Sequence, residues 1–126
     1  MNFNRELIVD ILNINSIENS DDGVKVSFCL NKNDEIFIEH FEGNPILPGA
    51  YTLEIVGQLM ASYISYCESL GMIKQVSFMS PIIPEDLYTL NIKNSNKFSN
   101  DQYGFVIRNK SGVTCCLGKL ELRETA

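Results

Sequence analysis

Apolar and polar positions change rhythm several times along this chain, and the changes mark out its elements. Residues 6–15 (ELIVDILNIN) are apolar and β-branched and fit a strand or a short helix. Ser20-Asp21-Asp22-Gly23 is a turn signal, and the acidic run from Glu18 to Asp22 reads as solvated. Residues 24–30 alternate Val, Val, Phe and Leu with Lys, Ser and Cys, the pattern of a half-buried strand. Residues 31–35 are polar and lead into a loop rich in glycine and proline. From Gly49 to about Leu70 no strong breaker intervenes. Leu53, Ile55, Val56, Leu59, Met60, Ala61 and Ile64 spread round most of a helical circumference, which predicts a buried helix. Within it, Gly57 suggests close approach of a neighbouring backbone, and Gly71 is a natural stop.

The remainder reads as strands at residues 76–79, 87–93, 102–108 and 113–122. Turns fall at Pro81-Ile82-Ile83-Pro84-Glu85-Asp86, at residues 94–101 and at Asn109-Lys110-Ser111-Gly112. Strands that meander about one buried helix predict an α+β fold, an antiparallel β-sheet wrapped around one long central α-helix. That is the hotdog arrangement. At 126 residues, with no repeat or linker, a single domain over 1–126 is expected.

Composition narrows the function. The net charge of −6 argues against nonspecific nucleic-acid binding and against attraction to anionic membranes. No apolar run is long enough to cross a bilayer, and Met1-Asn2-Phe3-Asn4-Arg5-Glu6 lacks a secretory pattern, so a cytoplasmic protein is expected. Cysteines at 29, 67, 115 and 116 form no C-x-x-C pair; they read as reduced, mostly buried thiols, with Cys115 and Cys116 on opposite faces of a strand. With one histidine in the sequence, neither a metal nor a cofactor is expected.

That histidine carries the chemistry. His40-Phe41-Glu42-Gly43-Asn44-Pro45-Ile46-Leu47-Pro48-Gly49 runs into the helix, and Glu54 and Gln58 follow on it, one turn apart. A histidine, a helix start and an acid within an apolar stretch are parts for acid–base chemistry on a carbonyl compound. Each part also has a plainer reading. Gly49 suits any Pro-Gly turn, Glu54 suits a solvated edge or a buried polar partner, and Gln58 has many structural uses. Tyr51, Tyr63 and Tyr66 read as core or interface residues.

The same residues resemble the 3-hydroxyacyl-[acyl-carrier-protein] dehydratases of the hotdog fold. Their signature, H-F-P-G-x-P-x-x-P-G with an acid five residues later and a glutamine four further on, is matched without a gap. Leu7-Ile8-Val9-Asp10 resembles the family's L-L-V-D. Phe78-x-x-Pro81-Ile82-Ile83-Pro84-x-Asp86 resembles its F-x-x-P-V-x-P-G-D. A glutamate at position 54 points to the non-isomerising branch. Glu39, Glu42 and Glu85 replace glycine, proline and glycine of the pattern, and Met79 and Ser80 stand where basic residues are common. These departures mark a divergent member.

The resemblance implies roles. His40 removes the C2 proton, and Glu54 protonates or orients the departing hydroxyl, with Gln58 holding its carboxyl. The Gly49 N–H polarises the thioester carbonyl, and the Ile46 carbonyl holds the His40 ring. It also implies a homodimer with active sites shared across the interface, and acyl carrier protein carrying a phosphopantetheine-linked substrate as partner. Three alternatives stay open: a hydratase acting on coenzyme A thioesters, a hotdog thioesterase, and a non-catalytic subunit of a heteromeric dehydratase. Lys74, Lys93, Lys97, Arg108, Lys110 and Lys119 are the cations left to meet an acidic carrier.

Overall fold

The computed structural model describes residues 11–34, 36–37, 45–64, 69–95 and 101–123. Six strands and a helix follow in the order β1 (Leu12–Ser20), β2 (Gly23–Leu30), α1 (Gly49–Tyr63), β3 (Ser69–Phe78), β4 (Tyr88–Asn94), β5 (Gln102–Asn109) and β6 (Thr114–Arg123). They form one antiparallel sheet in the order β1-β2-β4-β5-β6-β3, so β1 and β3 are its edges. No helix among the described residues is long and apolar enough to cross a membrane.

Strict alternation places one apolar face of the sheet against the helix. Val24, Val26, Phe28 and Leu30 of β2 point inward with Tyr88, Leu90 and Ile92 of β4. Tyr103, Phe105 and Ile107 of β5 and Cys116, Leu120 and Leu122 of β6 complete that face. Helix α1 meets it with Ile55, Val56, Leu59 and Met60. Full burial of each large side chain contributes roughly 1.5–3 kcal/mol, so this single contact surface dominates the fold's stability. Tyr51 and Tyr63 pack against the core from its margin, as expected of them; Tyr66 lies outside the described residues. Gly23 lets β2 approach β4 closely, since a Cβ there would fall on the Ile92 carbonyl.

The strands expected at 24–30, 87–93, 102–108 and 113–122 are present within a residue or two of those bounds. The turns at 20–23 and 109–112 are present too: Ser20 Oγ donates to Asp22 Oδ1 at 2.9 Å, and the Ser111 and Val113 N–H groups both donate to Asn109 Oδ1 at 3.0 Å. Three expectations shift. The helix stops at Tyr63, and Ile64 is already extended (φ −104°, ψ 103°). Ser69-Leu70-Gly71 belong to β3, where Gly71 is no stop. Pairing of seven β3 residues with β6 outweighs local helix propensity over that stretch. At the other end the first strand runs to Ser20 and includes Glu18. It is an edge strand paired only with β2, so its polar side chains face solvent without penalty. Residues 6–10 of that expectation lie outside the described residues.

Cys115 and Cys116 are both buried, and Cys29 is half-buried; all three are free thiols. Burial pushes the Cys116 thiol up to about 11, and Cys115 in the same direction, so both stay protonated and unreactive at neutral pH. Cys67 lies outside the described residues.

Glu85 occupies the left-handed region, with φ 71°. Its N–H donates to the Leu30 carbonyl at 2.9 Å, which fixes the backbone there. This geometry accounts for the glycine that the resembling sequences carry before Asp86, because a side chain in this region costs about 1–2 kcal/mol. Glu85→Gly is expected to raise the urea midpoint by an amount equivalent to about 0.5–1 kcal/mol, after the extra freedom glycine gives the unfolded chain. An unchanged or lowered midpoint would show that the Glu85 side chain stabilises the fold by other means.

Candidate active site

The candidate site forms where the loop before α1 meets the segment after β3. Leu47 N–H donates to the Ile82 carbonyl at 2.8 Å, clipping the two together. The far segment is itself held from below, since Ile83 N–H donates to the hydroxyl of the buried Tyr88 at 2.9 Å. The two stretches singled out by sequence, Pro45–Gly49 and Phe78–Asp86, are therefore brought side by side. Between them lies a pocket of about 350 Å³ lined by Ile46, Leu47, Gly49, Thr52, Phe78–Ile82 and Cys115. No charged residue is among its described lining residues.

Pro48 caps the helix in extended geometry (φ −61°, ψ 145°) with no side-chain hydrogen bond, and the first turn carries no acid. Its carbonyl accepts from Tyr51 N–H at 3.0 Å and Thr52 N–H at 3.1 Å. The N–H groups of Gly49 and Ala50 precede those bonds and have no carbonyl four residues back within the helix. A helix N-terminus of this kind attracts negative charge, and Gly49 places it in the wall of an apolar pocket.

Phe78 and Gly49 are matched. A Cβ on Gly49 would lie 2.9 Å from Phe78 Cζ and 3.2 and 3.3 Å from two further ring carbons. The ring thus covers the helix start while remaining 56% exposed. Met79, at 60% exposure, continues the same apolar rim. Met79 and Ser80 N–H groups both donate to the Cys115 carbonyl, at 2.7 and 3.2 Å, which fixes this rim to β6.

Ile46 and Gly49 are thus brought to one pocket, and Glu54 and Gln58 are not. Five residues at about 100° each put Glu54 roughly 140° round the axis from Gly49, and Thr52 lies on the pocket side. Glu54 is half-buried on the helix face turned away from the sheet, with Gln58 one turn on. Gln58 is 8% exposed, and its Nε2 has no hydrogen-bond partner among the described residues. A buried amide without a partner is destabilising, so this atom is available to a group outside the described set. His40 lies outside the described residues, as do 41–44. Sequence reasoning missed Thr52 and Cys115 as lining residues. Neither carries a signal, because only the meeting of α1 with the β3 and β6 ends puts them there.

The site is thus a helix start that opens on an apolar pocket at one end of a hotdog sheet. The model of the ApeI-like family, described as ApeI dehydratase, matches residues 16–119. The chain belongs to the ApeI-like dehydratase family. A 3-hydroxyacyl-[acyl-carrier-protein] dehydratase FabZ of Ehrlichia chaffeensis is 36% identical over 73 residues, 54% of this chain and 51% of that protein. The FabZ of Levilactobacillus brevis is 33% identical over 75 residues, with the same coverage. The chain spans about half the length of the curated relatives it matches. Among solved structures, the dehydratase heterocomplex ApeI:P from Xenorhabdus doucetiae superposes with TM-score 0.75 at 22% identity, covering 87% of this chain and 96% of that one. The PaaI protein of E. coli gives 0.70 at 12% identity, over 98% and 86%. Both show the hotdog fold.

Gly49→Ala is expected to destabilise the protein by about 1 kcal/mol, the low end for overpacking because the ring is partly free to move. In a Phe78→Ala background the same substitution is expected to have almost no effect, so a double-mutant cycle in urea reads the coupling directly. Additive effects would show that Phe78 does not restrict the helix start.

Proposed function

We propose that the protein dehydrates (3R)-3-hydroxyacyl thioesters carried on acyl carrier protein, giving trans-2-enoyl thioesters in fatty-acid or related acyl biosynthesis in the cytoplasm. The single observation that carries this reading is the start of α1. Gly49, whose N–H precedes the first helical bonds, lines an apolar pocket bordered by Ile46, Leu47 and Phe78. A thioester oxygen set there gains stabilisation as it takes on negative charge, while the surrounding apolar walls keep water from weakening the interaction.

In this reading His40 takes the C2 proton and Glu54 returns a proton to the C3 hydroxyl, which leaves as water. The two electrons of the C2–H bond become the C2–C3 double bond. Gln58 Nε2, buried and without a partner among the described residues, is available to hold the Glu54 carboxyl or the hydroxyl. Because Glu54 faces away from the Gly49 pocket, the acid and the oxyanion site of one chain serve different reaction centres, each completed by a second chain. Two features support self-association. β3 is an edge strand, and Met72, Phe78 and Met79 along and beyond it are each more than half exposed. A paralogous partner instead of a second copy is the variant favoured by the Xenorhabdus neighbour, which is a heterocomplex.

The test is mass-spectrometric detection of water loss from 3-hydroxyacyl groups offered on acyl carrier protein and on coenzyme A. Wild type is expected to turn over and His40→Ala to lose at least about a hundredfold. Hydrolysis of the thioester in place of water loss would assign a thioesterase. No turnover on either carrier by the folded self-associated chain would favour the heteromeric form.

A further inference from the structure

A second cavity, of about 440 Å³, lies on the outer face of the sheet, the one turned away from α1. Its position follows from the strand register. Lys93 of β4 stands opposite Gly104 of β5, Gly104 opposite Lys119 of β6, and Lys119 opposite Lys74 of β3. Three lysines therefore fall in one row across the strands. Gly104 places no side chain between Lys93 and Lys119, and a Cβ there would meet only the Gly118 carbonyl, at 3.9 Å. The result is a trough with lysines on either side and Val106 and Leu117 in the row alongside.

Lys74 is joined to Glu121 at 3.1 Å. Lys93 and Lys119 are exposed and make no ion pair among the described residues. Lys25, in the neighbouring row, stands between Asn91 of β4 and Glu18 of β1, so its charge is offset and the row rests on Lys93 and Lys119. The chain as a whole carries −6, and the described lining of the Gly49 pocket holds no charged residue. An acidic partner is repelled by the molecule at large and attracted at this row.

We propose that the Lys93–Lys119–Lys74 row docks an acidic helix of the acyl carrier protein, an inference that rests on the carrier-linked reading above. The spacing fits. Strands about 4.8 Å apart put the Cα atoms of Lys93 and Lys119 about 9.6 Å apart. Carboxylates at positions i and i+7 of a helix, two turns apart, are separated by about 10.5 Å along its axis. Lys74 lies one strand further, about 4.8 Å, close to the 5–6 Å that separates side chains three or four residues apart. A helix laid across the strands thus meets all three lysines with one acidic face, and Glu121 sets its limit by repulsion. Cys115, in the Gly49 pocket, is four residues from Lys119 on β6, about 13 Å along the strand.

The experiment titrates the full chain with holo-acyl carrier protein of the source organism, bearing no acyl group, at low and high salt by calorimetry. Lys93→Glu/Lys119→Glu is expected to weaken binding by at least about tenfold, and salt to weaken wild-type binding. Lys110→Glu, at the exposed tip of the β5–β6 hairpin, is expected to change it less than about twofold. If the double reversal fails to fold, Lys93→Gln/Lys119→Gln serves, with a smaller loss expected. Turnover of the carrier-linked substrate is expected to fall with binding, and turnover of the same acyl group on N-acetylcysteamine to stay within about twofold. Absent carrier binding by wild type, or binding that the lysine variants leave unchanged, would overturn the docking surface. Salt-sensitive self-association lost in the same variants would assign the row to a second copy and overturn it equally. Lysine-dependent carrier binding with no water loss from any thioester would uphold the surface and overturn the dehydratase reading.

Discussion

Burial of α1 by the inner face of the sheet is the contact on which the rest of the structure depends. Ile55, Val56, Leu59 and Met60 share one core cluster with inward chains from β2, β4, β5 and β6. The helix can therefore sit in one rotation about its axis. That rotation fixes two things at once. It turns Gly49 and Thr52 toward the ends of β3 and β6, where the pocket lies. It turns Glu54 the other way.

The separation of Glu54 from Gly49 explains why one chain is an incomplete catalyst in this reading. A helix cannot present residues five apart to the same pocket when its inner face is committed to a core. A site needing both the helix start and the acid must recruit the acid from elsewhere. The exposed apolar residues on and beyond β3 provide a surface for that recruitment. The lysine row on the outer face is independent of this division, because it is set by strand register and not by the helix.

Much of the fold was legible in the sequence. Period-two alternation at residues 24–30 marked a half-buried strand, residues 87–93 and 102–108 read as strands between turns, and each is present. The helix start was legible because Pro48-Gly49 both ends a loop and permits a helical first turn. Its end was not, since residues 64–70 carry no breaker; Ser69 and Leu70 pair with β6, a contact made between residues far apart in sequence. Within the candidate site, Ile46 and Gly49 were legible as neighbours along the chain. Thr52 and Cys115 were not, because they converge from α1 and β6. Glu85 was visible as a departure from glycine, and its positive φ gives the departure a physical meaning.

The most direct test of a site completed by two chains mixes His40→Ala with Glu54→Gln subunits. Each variant alone is expected to lose water-elimination activity. Co-expressed and purified as the mixed dimer, they are expected to regain it, because one of the two sites then takes an intact His40 from one chain and an intact Glu54 from the other. A folded mixed dimer as inactive as its parents would place both residues in the same chain's site and contradict the division that α1 imposes.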